Sequence, residues 1–324
     1  MMRSKGYTLI ELLVAMGLGL FMLAGVMQIF NTSSQSVRLI NASARVQEGG
    51  RIAMALLTRD IRMADYWGCA PGPSTISNNL DETDTPDYNA SIHALEMASG
   101  VVGEDNVSSS RADIGGIDVV DGSDVLHLRG SSALNGIRVI APYMTSTSAA
   151  VHVNNNSSIP KSTILLISNC SGGDYFSTTG SNTGNKLLHN KGFDAGGVIK
   201  NKVKDFSRTY SGDAVILTAY TNTYFLGRNT MGGNSLFRYG RNNSELFELV
   251  PNVTSLNFIY GEDTRNDAVK AADIFRNATL VSDMNNVISI QVEIGVKSSG
   301  SSATTNTSVT RNYASTTTIR NRLL

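Results

Sequence analysis

The chain has 324 residues, 27 basic and 27 acidic side chains, and two cysteines. That length accommodates one large domain or two small ones, and the balanced charge excludes a strongly basic nucleic-acid binder as the first reading. Serine, threonine, asparagine and glycine are abundant and lysine is sparse, a composition suited to a β-rich protein outside the cytoplasm.

The N-terminus is the most informative stretch. A basic six-residue leader with Arg3 and Lys5 ends in Gly6, and an apolar run of 24 residues from Tyr7 to Phe30 follows, holding one acidic residue, Glu11. A helix of that length rises roughly 36 Å, enough to cross a bilayer core of about 30 Å. An ionisable group inside such a helix costs roughly 2.5–3.5 kcal/mol on insertion scales, so it calls for a function and a partner. A cleaved secretory signal fits poorly, because no small-x-small cleavage site follows the run. A plain anchor fits the length and the positive flank, but leaves Glu11 without a purpose.

The segment Gly6-Tyr7-Thr8-Leu9-Ile10-Glu11-Leu12-Leu13-Val14-Ala15 resembles the leader signature of type IV pilins and pseudopilins. The resemblance implies cleavage after Gly6 by a prepilin peptidase, N-methylation of Tyr7 as the new N-terminus, and retention of the helix as anchor. Removing Arg3 and Lys5 leaves 25 basic against 27 acidic groups, a net charge of −2. It also implies that Glu11 pairs with the terminal amine of a neighbouring subunit and sets the axial register during assembly. An α-amino group with a pKa of about 7.7–8.0 is cationic enough for that, and a paired charge is tolerable in hydrocarbon where a lone one is not. The amine of the same chain, one turn away, is the competing partner. Tyr7 departs from the phenylalanine usual in the family, and Gln28 stands where many major pilins have proline.

From Phe30 to about Ala64 there is no proline, and Val37, Ile40, Ala44, Ile52, Leu56 and Ile61 recur at helical spacing. The pattern predicts one helix from Tyr7 to about Met63, membrane-embedded over 7–30 and amphipathic over 31–66. Gly49-Gly50 is a weak point, at about 1 kcal/mol per interior glycine, where a kink or break is plausible. Trp67-Gly68-Cys69-Ala70-Pro71-Gly72-Pro73 ends the helix. A polar, irregular stretch to Gly116 carries an acidic cluster at Asp81, Glu82, Asp84 and Asp87, and 92–97 reads as a short helix. Short β-branched or alternating runs then predict strands at 125–129, 137–141, 149–153, 163–168, 198–202, 236–239, 247–250, 253–260, 287–297 and 309–318. The run 214–226 is one strand or a hairpin. The remainder, 67–324, is thus a β-rich globular domain. The fold class is α+β, with a long N-terminal helix packed on an antiparallel sheet.

Cys69 and Cys170 form a disulfide in an oxidising compartment, the alternative being two buried thiols. Closing about 100 residues stabilises by roughly 4–5 kcal/mol in the chain-entropy account. His93, His127, His152 and His189 are far apart, with no zinc spacing, and strand histidines such as His127 and His152 read as hydrogen-bonded structural groups. No Walker loop, nucleophile elbow or H-E-x-x-H motif occurs. Asp118, Asp121 and Asp124, and Glu262, Asp263 and Asp267, are candidate calcium ligands by residue type, but neither set matches a calcium loop, so both read as surface turns. The sequence therefore predicts no catalytic residue, no metal and no cofactor.

Leu246-Phe247-Glu248-Leu249-Val250-Pro251-Asn252-Val253 and Leu256-Asn257-Phe258-Ile259-Tyr260-Gly261-Glu262-Asp263 resemble minor pilins of the PilW family. So do Trp67-Gly68-Cys69, Asn169-Cys170-Ser171 and Thr318-Ile319-Arg320-Asn321-Arg322. The resemblance implies a non-enzymatic subunit at or near a pilus tip, priming assembly and serving adhesion and twitching motility. Its implied partners are other minor pilins, the major pilin, a tip adhesin, the prepilin peptidase and the inner-membrane assembly platform, with no nucleic acid. The chain would cross the bacterial inner membrane once, with its C-terminal domain periplasmic, before entering an extracellular pilus. A type II secretion pseudopilin and a membrane-anchored binding or adhesin protein are the alternatives.

Overall fold

The computed structural model describes residues 8–81, 99–108, 113–134, 136–156, 159–160, 163–179, 184–192, 200–240, 245–265, 270–298 and 308–323. The short helix read at 92–97, His93, Asp267 and most of the acidic cluster at 81–87 lie outside these residues.

One helix, α1 (Leu9–Met63), runs unbroken for 55 residues. Its N-cap is Thr8, whose side chain accepts from the Glu11 amide while Glu11 reaches back to the Thr8 amide. This reciprocal capping box satisfies two of the donors that a helix start leaves free. Among the described residues nothing packs on the apolar first half: Leu9 is 78% and Phe21 81% exposed. Burial starts at Val46 and continues through Gly50, Ala53, Leu57 and Ile61.

That stripe corrects the amphipathic face read from the sequence. Of the six positions expected to pack, Ile61 is buried, whereas Val37, Ile40 and Ile52 are exposed. The helix meets its sheet closely enough that small residues, Gly50 and Ala53, sit at the contact, and a hydropathy pattern discounts small residues. The two glycines expected to weaken the helix are contact points. A Cβ on Gly50 would lie 2.2 Å from the Tyr313 ring, and one on Gly49 3.3 Å from Val250.

The strands, in chain order, are β1 (Ile76–Asn78), β2 (Val101–Glu104), β3 (Val125–Ala133), β4 (Val151–His152), β5 (Ile164–Asn169), β6 (Gly172–Ser177) and β7 (Lys186–Leu187). The second half holds β8 (Val215–Arg228), β9 (Asn234–Gly240), β10 (Glu245–Pro251), β11 (Val253–Glu262), β12 (Ile274–Arg276), β13 (Val287–Lys297) and β14 (Thr310–Thr318). A first sheet has the order β1-β6-β5-β8-β3-β2, with β9 joined to β8 and β10 to β9. β8 is a single strand of 14 residues: β3 follows one edge, while β5 and then β9 share the other. A second sheet has the order β12-β11-β13-β14, and β4 pairs with β7. Pairing is antiparallel throughout these strands except for β1 with β6, so the first sheet is mixed.

Several expected strands shrink. The run at 137–141 contributes only the Val139–Val153 bridge, and 198–202 contributes bridges at Asn201. β6, Gly-Gly-Asp-Tyr-Phe-Ser, escaped the pattern because all six residues are buried, leaving no alternation to detect. The helix stripe packs on Leu256, Phe258 and Tyr260 of β11 and Ile290, Val292, Ile294 and Val296 of β13, together with Leu126 and Leu128 of β3 and Tyr224 of β8. Fully burying residues such as Leu57 and Ile61 stabilises by roughly 1.5–3 kcal/mol each. A second core lies around Leu165, Ile167, Phe176, Phe206 and Ile216.

Candidate assembly elements and the junction behind them

Two regions stand out: the bare helix with Glu11, and the knot that fixes the helix end to the globular domain. Gly6 and Tyr7 lie outside the described residues, immediately before the N-cap. The Glu11 carboxylate accepts from the Thr8 amide at 2.9 Å and the Thr8 hydroxyl at 3.0 Å. In the single chain it is therefore held by its own first turn, a partner that the sequence reading did not consider. The window of α1 that is apolar enough to cross a membrane has a mean hydropathy of 2.3 and buries nothing within the fold.

At the other end α1 stops at Met63, three residues short of Tyr66. Asp65 turns the chain with φ 63°, a left-handed conformation that short polar side chains tolerate better than most. Side chains from distant elements satisfy the last helix carbonyls, which have no partner within the helix. The Tyr220 hydroxyl donates to Met63 at 2.9 Å, and the Asn321 amide donates to Ala64 at 2.8 Å. Burial, with Asp60 and Asp65 nearby, pushes the Tyr220 phenol well above its ordinary range, keeping it a neutral donor.

Asp65 and Arg322 form a buried ion pair, with side chains 7% and 6% exposed. Arg322 donates in addition to Ser99 Oγ at 2.8 Å and to the carbonyls of Met284 and Val287, each at 2.5 Å. The Trp67 indole donates to Asp65 at 2.7 Å, and Ser168 Oγ donates to the Trp67 carbonyl at 2.9 Å. Gly68 (φ 74°) leaves no room for a side chain, since a Cβ would lie 2.5 Å from Ser168 Oγ. Next to it Cys69 is bonded to Cys170, spanning 101 positions. Three motifs singled out in the sequence, at 67–69, 169–171 and 318–322, thus bring their chemistry to one place around the helix end. Asp65 and Ser99 complete the knot and were missed; the turn signal after Met63 marks Asp65 only in hindsight.

Of the candidate metal ligands, Asp124 and Glu262 hold backbone amides with their carboxylates. Asp124 accepts from the amides of Asn106 at 2.9 Å and Phe258 at 2.8 Å. Asp118 accepts from the Arg228 amide through its carbonyl. Glu262 is fully buried and accepts from the amides of Ser282 at 3.1 Å and Asp283 at 3.2 Å, so it is not the surface turn expected. Asp263, 8% exposed, faces Lys270 at 3.6 Å. Among the described residues no three His, Cys, Asp or Glu side chains are grouped to hold a metal. His127 is held in β3 by Thr223 at 2.9 Å and Glu104 at 2.8 Å, and His189 by the carbonyls of Lys204 and Ala149.

Comparison with known families matches residues 1–27 to the prokaryotic N-terminal methylation motif. Residues 223–322 match PilW, the type IV pilus-assembly protein W family. Searches of curated proteins and of solved structures gave no match to the chain. The second match contains all four strands of the second sheet, β11 to β14, and ends on Arg322, the residue that locks the helix end. The two matches sit at opposite ends of the chain, on the bare helix and on the sheet that carries it. Residues 1–27 thus carry a pilin-type methylation motif and residues 223–322 a PilW-family region, which together support a minor-pilin or pseudopilin role in type IV pilus assembly.

Proposed function

We propose that the chain is a minor pilin that enters the pilus at or near its tip and, with other minor pilins, primes assembly. One observation carries this reading: α1 is bare over its apolar half and packs on the sheet from Val46 to its end. A helix so divided serves first as a single inner-membrane anchor, with the domain in the periplasm, and afterwards as part of a filament core. Prepilin peptidase cuts after Gly6 and Tyr7 is methylated. Glu11 then exchanges its Thr8 contacts for the terminal amine of an adjacent subunit, because a full charge partner outweighs two neutral donors in hydrocarbon. The major pilin, a tip adhesin and the assembly platform are the further partners, with adhesion and twitching motility as the outputs. The work is templating and mechanical, not catalytic.

Mass spectrometry of protein extracted from membranes tests the processing: the N-terminus should be Tyr7 with one added methyl, and an intact Met1 refutes it. Glu11→Ala should leave membrane insertion unchanged and lower incorporation into pili. Unchanged incorporation removes Glu11 from the mechanism.

A further inference from the structure

β14 closes one side of the second sheet, and among the described residues its outer edge is open. Its pairing with β13 runs from Thr310 opposite Lys297 to Thr318 opposite Ser289 without a slip. Just beyond both ends, the Ser298 amide donates to the Val309 carbonyl and the Ile319 amide to the Ile288 carbonyl. These bonds set the phase of the antiparallel ladder. Odd-numbered residues of β14 direct their amides and carbonyls at β13. Thr310, Asn312, Ala314, Thr316 and Thr318 direct theirs outward. Among the described residues no strand lies beyond β14, and no backbone hydrogen bond reaches these five.

Natural edges are blunted by proline, bulges, charge or a covering element. β14 contains no proline and no bulge. Its one charged residue, Arg311, sits on the inner face and donates to Ser43 of α1 at 3.2 Å. The outer face presents the exposed side chains of Asn312, Ala314, Thr316 and Thr318. Nine residues of threonine-rich edge, whose single charge sits on the inner face, form a template for main-chain pairing.

We propose that this edge accepts an extended strand from a different polypeptide, a neighbour in the assembled structure, through the outward groups of Thr310 to Thr318. The inference rests on the assembly reading for where that neighbour is met and for excluding a β14-to-β14 pair. Two copies paired β14 to β14 do not fit. Contacts of β14 with α1 run in the same order along both: Arg311 with Ser43, Tyr313 with Val46, Thr317 with Thr58. The helix therefore runs parallel to β14. Two copies joined through β14 by a two-fold axis would pair antiparallel. Their apolar helix halves would then leave in opposite directions, incompatible with one bilayer or one filament core.

Site-specific photocrosslinking in cells making the full chain tests this. A benzoylphenylalanine at Asn312, Thr316 or Thr318 should give adducts with one partner peptide. The crosslinked partner positions should shift by four and then two residues, as along a paired strand. Adducts with a second copy, adducts scattered over unrelated peptides, or no adducts overturn the proposal. Ala314→Pro removes an outward amide that β13 does not use and should lower all three yields by about tenfold or more. If Ala314→Pro reduces the amount of disulfide-bonded protein, Asn312→Lys with Thr316→Lys blunts the edge without changing the backbone, and the Thr318 adduct must fall similarly. Unchanged yields in the variant used refute main-chain pairing. Normal piliation in a strain lacking the chain would remove the assembly reading and leave the crosslinking result standing. Pili that depend on the chain, with no adduct, would remove this inference alone.

Discussion

Replacing Arg322 by methionine tests the junction at its centre. The variant keeps an unbranched apolar stem and deletes a guanidinium that serves Asp65, Ser99 and the carbonyls of Met284 and Val287. At 6% and 7% exposure the pair is not screened as a surface pair would be. Asp65 is left as a buried carboxylate with the Trp67 indole as its remaining side-chain donor. Removing one partner of a buried pair costs about 3–5 kcal/mol. For a domain of this size each kcal/mol moves Tm by roughly 2–4 °C, so Arg322→Met should lower Tm by about 6–20 °C. Trp67 is the only tryptophan, so its emission in the full chain in detergent reports unfolding from inside the junction. Asp65→Asn in the same chain keeps an acceptor for the indole and a residue that tolerates the left-handed turn. It should recover part of the loss, because the uncompensated charge is gone. A loss below about 1 kcal/mol for Arg322→Met, or a double variant no better than the single one, refutes the reasoning.

Three further outcomes follow from the same packing. Gly50→Ala would raise stability by about 1 kcal/mol on an open helix face. Here the Tyr313 ring blocks the methyl, so urea unfolding should show a net loss of about 1–2 kcal/mol, and a gain would mean the ring yields freely. Cys69→Ser with Cys170→Ser should cost up to about 4–5 kcal/mol by release of the loop in the unfolded state; equal midpoints for the variant and the oxidised protein would exclude this. Burial, with Asp105 acting in the same direction, pushes the Asp124 carboxyl above the usual carboxylate range against the pull of the Asn106 and Phe258 amides. A raised folded pKa makes the ionised form a penalty at neutral pH, relieved as pH falls through the folded value towards the unfolded one. Stability measured over that acidic window should therefore rise less on acidification in Asp124→Asn than in the parent, and identical slopes would refute it.

The leader, the apolar run and Glu11 were legible because they are local: one-dimensional hydropathy and a motif at fixed spacing. The long strands β11, β13 and β14 were legible too, since β-branched and alternating runs are written locally into the chain. The helix face was not. Val46, Gly50 and Ala53 are chosen by how near the sheet lies, and closeness of approach favours small residues that carry little hydrophobic signal. Burial of Glu262 and Asp263 was equally hidden, because acidic residues near a glycine look like turns until distant strands cover them.

The sequence alone determined that this chain starts with a methylation-type motif on a long apolar helix and has two cysteines able to pair and a β-rich remainder. Only the tertiary structure decided what Trp67, Cys69, Cys170 and Arg322 are for. Spread over more than 250 positions, they meet where the helix ends, and buried charge and hydrogen-bond partners exist only once that meeting has occurred. It likewise decided that, among the described residues, β14 ends its sheet with an open edge, since a strand's neighbours are set by topology and not by its own residues.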